Sequence, residues 1–272
     1  MSKAYLEPNV INWSRRSGWS GAELRRRLVA RALEPHFGIH GIYELARGLL
    51  SERHQADAQR NFETLSDLGP VFGPTPEMLF GKELDRLRTG ATVIPILDEL
   101  NRASAKQQVV QMAAGRLEED GREFVRRRQA GIQRDYPHYI ANQRSQIRSA
   151  VASGARRPTT FEEAFAGFDS QVPGIIRQLL GNRVAASEAV ELHARLDEFP
   201  ALRSTVRANL SMWAGRLVSG AGPSTDKNDD YRHVIEASYA DVFVTGDNQL
   251  ARTVPRLHPG LSVLTWLEFA AG

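Results

Sequence analysis

Residues 230–250, DYRHVIEASYADVFVTGDNQL, change their hydrophobic period halfway along. In the first half Tyr231, Val234 and Ile235 fall at i, i+3 and i+4, one apolar face of a helix. In the second half, ADVFVTGD is rich in β-branched and aromatic residues and closes at Gly246-Asp247, which reads as a buried strand. A helix feeding a short strand without polar alternation is the repeating unit of a parallel sheet covered on both faces.

The flanking sequence extends that pattern. LSVLTWLEF reads as a last strand running into a terminal turn. At the other end YLEPNVINW, Tyr5–Trp13, reads as a first short strand, with Glu7, Pro8 and Asn9 inside it. WSGAELRRRLVARAL then has a helix start, with Ser20 and Glu23 spaced as a capping box, Trp19 and Leu24 as a hydrophobic staple, and Leu24, Leu28 and Ala32 along one face. FGIHGIYELARGLLSE reads as a strand over residues 37–40 entering a helix striped by Ile42, Leu45 and Leu49, and ADAQRNFETLSDL as another helix. Residues 76–218 show only helical patterning, broken by turn signals, and SGAGPSTDKNDD is a loop by composition. The expected fold class is therefore α/β: residues 1–75 and 219–272 build a parallel sheet flanked by helices, and residues 76–218 form an all-helical insertion.

Composition bounds the chemistry. The 272 residues are 42% hydrophobic and 25% charged, enough for a packed core and against wholesale disorder. There is no cysteine, so disulfides, zinc–thiolate sites and thiol catalysis are excluded. No stretch approaches a membrane span, and the N-terminal residues lack the apolar run of a signal peptide, so a cytoplasmic protein without membrane contact is expected. The net charge of +3 and pI of about 9.4 permit a nucleic-acid partner without requiring one.

Acids mark where ligands collect. In parallel sheets that place is the carboxyl end of the strands. Glu7 lies in the first expected strand, Asp247 ends another, Glu44 is early in a helix after a strand, and Asp229 and Asp230 open the helix before ADVFVTGD. Carboxylates brought together repel unless a cation joins them, and hard divalent cations take oxygen ligands, with substrate phosphates completing the shell of Mg²⁺. The expected chemistry is phosphodiester hydrolysis with Mg²⁺ or Mn²⁺. Each acid also has an ordinary reading. Asp229 and Asp230 suit a helix N-terminus, Glu44 a solvated helix face, Asp247 a turn, and His233 a core edge. Glu7 resists one, because its neighbours are apolar. GAGPST lacks the Gly-Lys-Ser/Thr ending of a phosphate loop, and no G-x-S-x-G or H-E-x-x-H occurs.

A basic run lies in the insertion. Between Arg122 and Arg157 there are nine arginines against Glu123 and Asp135, with Tyr136, His138 and Tyr139 interleaved. A solvated helical face is the plain reading. A one-signed local excess beside an acidic centre also suits phosphate binding, through Arg126, Arg127, Arg128, Arg134, Arg144, Arg148, Arg156 and Arg157.

Taken in order, YLEPNV, IYELARG and DYRHVIEASYADVFVTGDNQL resemble the acidic motifs of PIN-domain nucleases, over about the first and last fifty residues. Glu7 stands where that family usually has Asp, and Pro8 where a small polar residue is common. The resemblance implies a PIN-like sheet and a ribonuclease that leaves a 5′-phosphate and a 3′-hydroxyl. It also implies metal ligands Glu7, Glu44, Asp230 and Asp247, with Asp229 as an alternative to Asp230. Asn9 and Thr245 would support the acids, and His233 would stand behind them. RNA is the implied partner, with DNA and an inhibitory protein also open. A non-catalytic PIN-like scaffold and a metal-dependent phosphatase are the rival readings.

Overall fold

The computed structural model describes residues 1–131, 134, 141, 145, 159–219 and 225–271. At its centre are five parallel strands: β1 (Ser2–Leu6), β2 (Leu33–Gly38), β3 (Val71–Gly73), β4 (Val242–Thr245) and β5 (Ser262–Thr265), in the order β3-β2-β1-β4-β5. Helices α1 (Pro8–Arg16) and α2 (Gly21–Ala30) join β1 to β2, and α3 (Ile39–Arg47) and α4 (Gln55–Leu68) join β2 to β3. Between β3 and β4 the described regular elements are helices: α5 (Pro76–Thr89), α6 (Glu99–Ala113), α7 (residues 119–131), α8 (Phe161–Gly167), α9 (Val172–Leu180), α10 (Ala186–Ala194), α11 (Pro200–Ser219) and α12 (Thr225–Glu236). Helix α13 (Asn248–Leu257) returns the chain to β5, and α14 (Trp266–Ala271) follows it. No helix among the described residues is long and apolar enough to cross a membrane.

The strand period places the core on both faces of the sheet. Ala4, Leu6 and Val244 point to one side, where Phe37 and Phe72 join them under α1–α4, α6 and α14. Tyr5 and Phe243, paired across β1 and β4, point to the other, against Tyr231 and Val234 of α12 and Leu250, Val254 and Leu257 of α13. A third cluster forms within α5, α9, α10 and α11 around Ile176, Phe199, Leu202 and Val206, and takes in Ile235 of α12. Glu83 ties this layer together. Its buried carboxylate accepts from Ala201 N at 2.7 Å, Leu202 N at 2.8 Å and the Tyr239 hydroxyl at 2.8 Å, satisfying the first amides of α11.

Several boundaries differ from the sequence-based expectation. Strand β1 stops at Leu6, and Pro8 opens α1 at a position where a missing N–H goes unnoticed, so PNVINW is helix and not strand. Strand β2 starts at Leu33, and His40 already belongs to α3. Strand β3 was not expected. Ala32 does not continue the α2 stripe but turns the chain at φ 56°. Ser20 does cap α2, accepting from Glu23 N, while the Glu23 carboxylate turns to Arg26 and Arg27, so only half of the capping box forms. Helix α12 starts at Thr225, which puts Asp229 and Asp230 in its second turn and not at its opening. WLEFAA is a short helix and not a turn.

Candidate metal centre

Chain connections build the sheet one way from β1 to β3 and the other way from β4 to β5. The crevice at such a reversal, beyond the carboxyl ends of β1 and β4, is where open α/β sheets bind ligands. Glu7 is the first residue past β1, its backbone N–H bonded to Val244 O at 3.1 Å. Its buried Oε2 accepts from Thr245 Oγ1 at 2.6 Å. The same hydroxyl oxygen accepts from Asp247 N at 2.9 Å, so Thr245 bridges the two acids. Asn9 Oδ1 accepts from Gly246 N at 2.8 Å and ties α1 to the turn after β4. Asp247 caps α13, its Oδ1 accepting from Gln249 N at 2.6 Å and Leu250 N at 2.9 Å.

Helices α3 and α12 supply the other wall. His233 Nε2 lies 2.9 Å from Glu44 Oε2, and its Nδ1 lies 2.8 Å from the Tyr5 hydroxyl. That hydroxyl donates to Glu236 Oε2 at 2.9 Å, and Glu236 Oε1 accepts from His40 N at 3.1 Å. Gly38 is required at this junction: a Cβ there would overlap Glu236 Oε2 and come within 2.6 Å of the Tyr5 oxygen. Asp229 reaches Arg47 Nη1 at 3.3 Å and His40 Nε2 at 3.2 Å, the latter without hydrogen-bond alignment.

Electrostatics show acids in surplus. Burial pushes Glu7 up to about 7; His233 and the Thr245 hydroxyl pull it back, while Glu44 and Asp230 push it further. Asp230 rises to about 6, through burial and then through Asp247, with Glu44 and Asp229 adding to it. His233 goes the other way from most buried histidines. Burial would lower it, but the charge and hydrogen bond of Glu44, with Glu7 and Glu236, raise it to about 9. It is therefore an imidazolium at neutral pH, and in spite of burial it holds Glu44 below the ordinary carboxylate range. Burial drops His40 to about 4, so that ring is neutral.

Two donor sets suggest themselves for a cation. One is the oxygen set of Glu7, Glu44, Asp230 and Asp247, on four separate elements, whose charges raise one another although no three of them bring ligand atoms within 4.8 Å of one another. The other is His40, Glu44 and His233, whose ligand atoms lie within 4.8 Å of one another. The second set is the tighter of the two, and without a cation it carries protons. Both nitrogens of His233 are engaged, and His40 Nδ1 faces Arg128 Nη2 at 3.4 Å, which leaves the ring proton on Nε2. The first set carries surplus negative charge on buried and half-buried carboxylates, oxygen donors of the kind that hard divalent cations take.

Of the residues expected from sequence, Glu7, Asn9, Thr245 and Asp247 lie together at the ends of β1 and β4, and Glu44, Asp229, Asp230 and His233 face them from α3 and α12. The arginine run divides. Arg128 is half-buried, over the Tyr43 ring at 4.8 Å and beside His40. Arg126 and Arg127 are exposed and pair with Glu119 at 3.0 Å and Glu123 at 3.5 Å, surface contacts of small energetic weight. Arg134 is exposed, and Arg144, Arg148, Arg156 and Arg157 lie outside the described residues. Sequence reasoning passed over Tyr5, His40 and Glu236. The usable signals were spacings: His40 stands four residues before Glu44, and Glu236 three after His233. Comparison with known protein families, curated proteins and solved structures finds no match for the chain.

Proposed function

We propose that the protein is a metal-dependent nuclease that hydrolyses RNA at the cleft between β1 and β4. One observation carries the reading: acids from four separate elements lie near enough to the reversal of a parallel sheet to feel one another's charge, and Glu7 and Asp230 are held above their ordinary range there. An oxygen-rich cluster with surplus charge suits Mg²⁺ or Mn²⁺, held by Glu7, Glu44, Asp230 and Asp247. A bound cation would supply Lewis acidity toward a phosphate and lower the pKa of an attacking water. The chain's own residues do the rest. Thr245 sets the Glu7 carboxylate and the Asp247 backbone on one hydroxyl. His233, fixed by Tyr5, turns Glu44 into the cleft wall, and Asn9 holds the Gly246 turn. Arg47 and Arg128 bring positive charge to the same wall, where a phosphodiester backbone would run. The PIN-like resemblance of the four acidic motifs favours this reading over others and is the reason RNA is preferred to DNA.

Cleavage of a labelled single-stranded RNA, in Mg²⁺, in Mn²⁺ and in chelator, tests it. Cleavage is expected with either metal and not in chelator. Asp247→Asn and Glu7→Gln, which keep shape and remove charge, should each lower the single-turnover rate by about a hundredfold or more, on the scale of removing one electrostatic group from an active site. Parent-like cleavage by Asp247→Asn would remove that residue from the site. Mn²⁺ binding with no cleavage of RNA would leave a metal-binding scaffold.

A further inference from the structure

Trp13 is a large aromatic side chain left 40% exposed at the rim of the acid cleft. Its position is set by the cleft's own backbone. The five-membered ring lies against Gly246, the residue before Asp247, where any Cβ would overlap indole Cδ1 and sit 2.5 Å from Nε1. Asn9, one turn earlier in α1, holds the same glycine through its amide at 2.8 Å. Packing at one edge thus orients the indole and leaves part of it open to solvent beside the acids. On the next turn of α1 the Arg16 guanidinium carbon stands over the indole, 5.6 Å from its centroid, and its side chain is exposed. Its neighbour Arg15 is engaged instead, by Asp57 at 3.0 Å and Asn61 at 3.3 Å.

An exposed aromatic surface with a guanidinium beside it recognises one ligand chemistry well: a planar base carrying a phosphate. Stacking on aromatic side chains is how single strands are held without hydrogen-bond readout, and arginine adds cation–π and phosphate contacts. In a duplex the bases are already stacked on one another, so such a platform favours unpaired nucleotides. We propose that Trp13 and Arg16 form a stacking platform that seats the unpaired base next to the phosphate held at the acid cleft. This rests on the nuclease reading of that cleft and adds its preference for single strands. The glycine at 246 belongs to the same device, since a side chain there would displace the indole.

The test separates binding from cleavage. Binding of a fluorescein-labelled adenosine RNA of about a dozen nucleotides is followed by anisotropy in Mg²⁺ on an Asp247→Asn background. The same strand annealed to oligouridine is the second probe. Trp13→Ala should weaken single-strand binding about tenfold and leave the weaker duplex binding unchanged. Trp13→Phe should restore most of the affinity and Trp13→Leu should not, because stacking needs a ring and packing does not. Equal binding by Trp13→Ala, equal rescue by leucine and phenylalanine, or no binding of the strand would each overturn the platform. Cleavage is read separately, with Asp247 restored. A strand that binds as expected but is never cut overturns the nuclease reading and leaves the platform standing. A strand that is cut, while Trp13→Ala binds and cuts it like the parent, overturns the platform alone.

Discussion

Thr245 is the residue on which the two strand-end acids depend. It is fully buried, donates to Glu7 at 2.6 Å and accepts from Asp247 N at 2.9 Å, so one oxygen fixes two elements. Thr245→Val keeps the shape and removes that oxygen. It leaves a buried carboxylate short of a donor, a loss of about 1–3 kcal/mol in stability. Groups that orient metal ligands typically matter by about 10–100-fold in metal affinity, and a fall of that size is expected for Mn²⁺ by calorimetry. Thr245→Ser, which retains the hydroxyl, should bind near the parent value. Unchanged Mn²⁺ affinity in the valine variant would mean that Glu7 and Asp247 do not share a cation. At this scale the sequence was informative in an uneven way. Glu7 stood out because an acid among apolar residues needs a partner, although it proved to follow β1 and not to lie inside it. Thr245 entered only through the resemblance. Tyr5 gave no sign, since a buried tyrosine in a strand is ordinary until its hydroxyl is seen between His233 and Glu236.

Among the elements, α12 links the site to the helical layer. Asp229, Asp230, His233 and Glu236 contribute to the cleft and the network behind it, while Ile235 enters the cluster of α5, α9, α10 and α11. Glu83 anchors that cluster through the start of α11. Glu83→Gln must turn an amide N–H₂ toward a buried donor, so a loss of about 1–3 kcal/mol is expected in denaturant melts. The pH dependence carries a sign. Burial raises Glu83 from its ordinary 4.5 to about 7, against the pull of Tyr239, Ala201 and Leu202. The folded state therefore binds the extra proton between those values. Its contribution is fully present below pH 4.5 and is lost as pH rises through about 7. The parent should lose stability across that window faster than Glu83→Gln does; equal slopes would show that Glu83 does not titrate there. Elements with a clear period were legible, as with α2, α3 and β4. Strand β3 was not, because three residues, Val71–Gly73, carry no pattern. The start of β2 was hidden by Glu34 and Pro35. Proline argues against an interior strand, yet β3 begins pairing only at His36, so the outer edge of β2 needs no N–H from Pro35.

Across the whole molecule, the reversal of the sheet between β1 and β4 brings together acids more than two hundred residues apart in sequence, Glu7 and Asp247 among them. That convergence was foreseeable only on condition that the strands were neighbours, which no local pattern can establish; the pairing of Leu6 with Val244 supplies it. The imidazolium of His233 was beyond sequence altogether, because its charge depends on the acids that folding places around it. Charge is distributed with the same logic: Arg47, Arg128 and Arg16 border an acid cleft in a chain of net charge +3. The most direct measurement is an anomalous-difference map from a crystal of the protein soaked in Mn²⁺. A peak bonded by oxygens of Glu7, Glu44, Asp230 and Asp247, at the roughly 2.0–2.1 Å of a small hard divalent cation, is the expected result. A peak on the imidazole nitrogens of His40 and His233, or none in the cleft at saturating Mn²⁺, would contradict it.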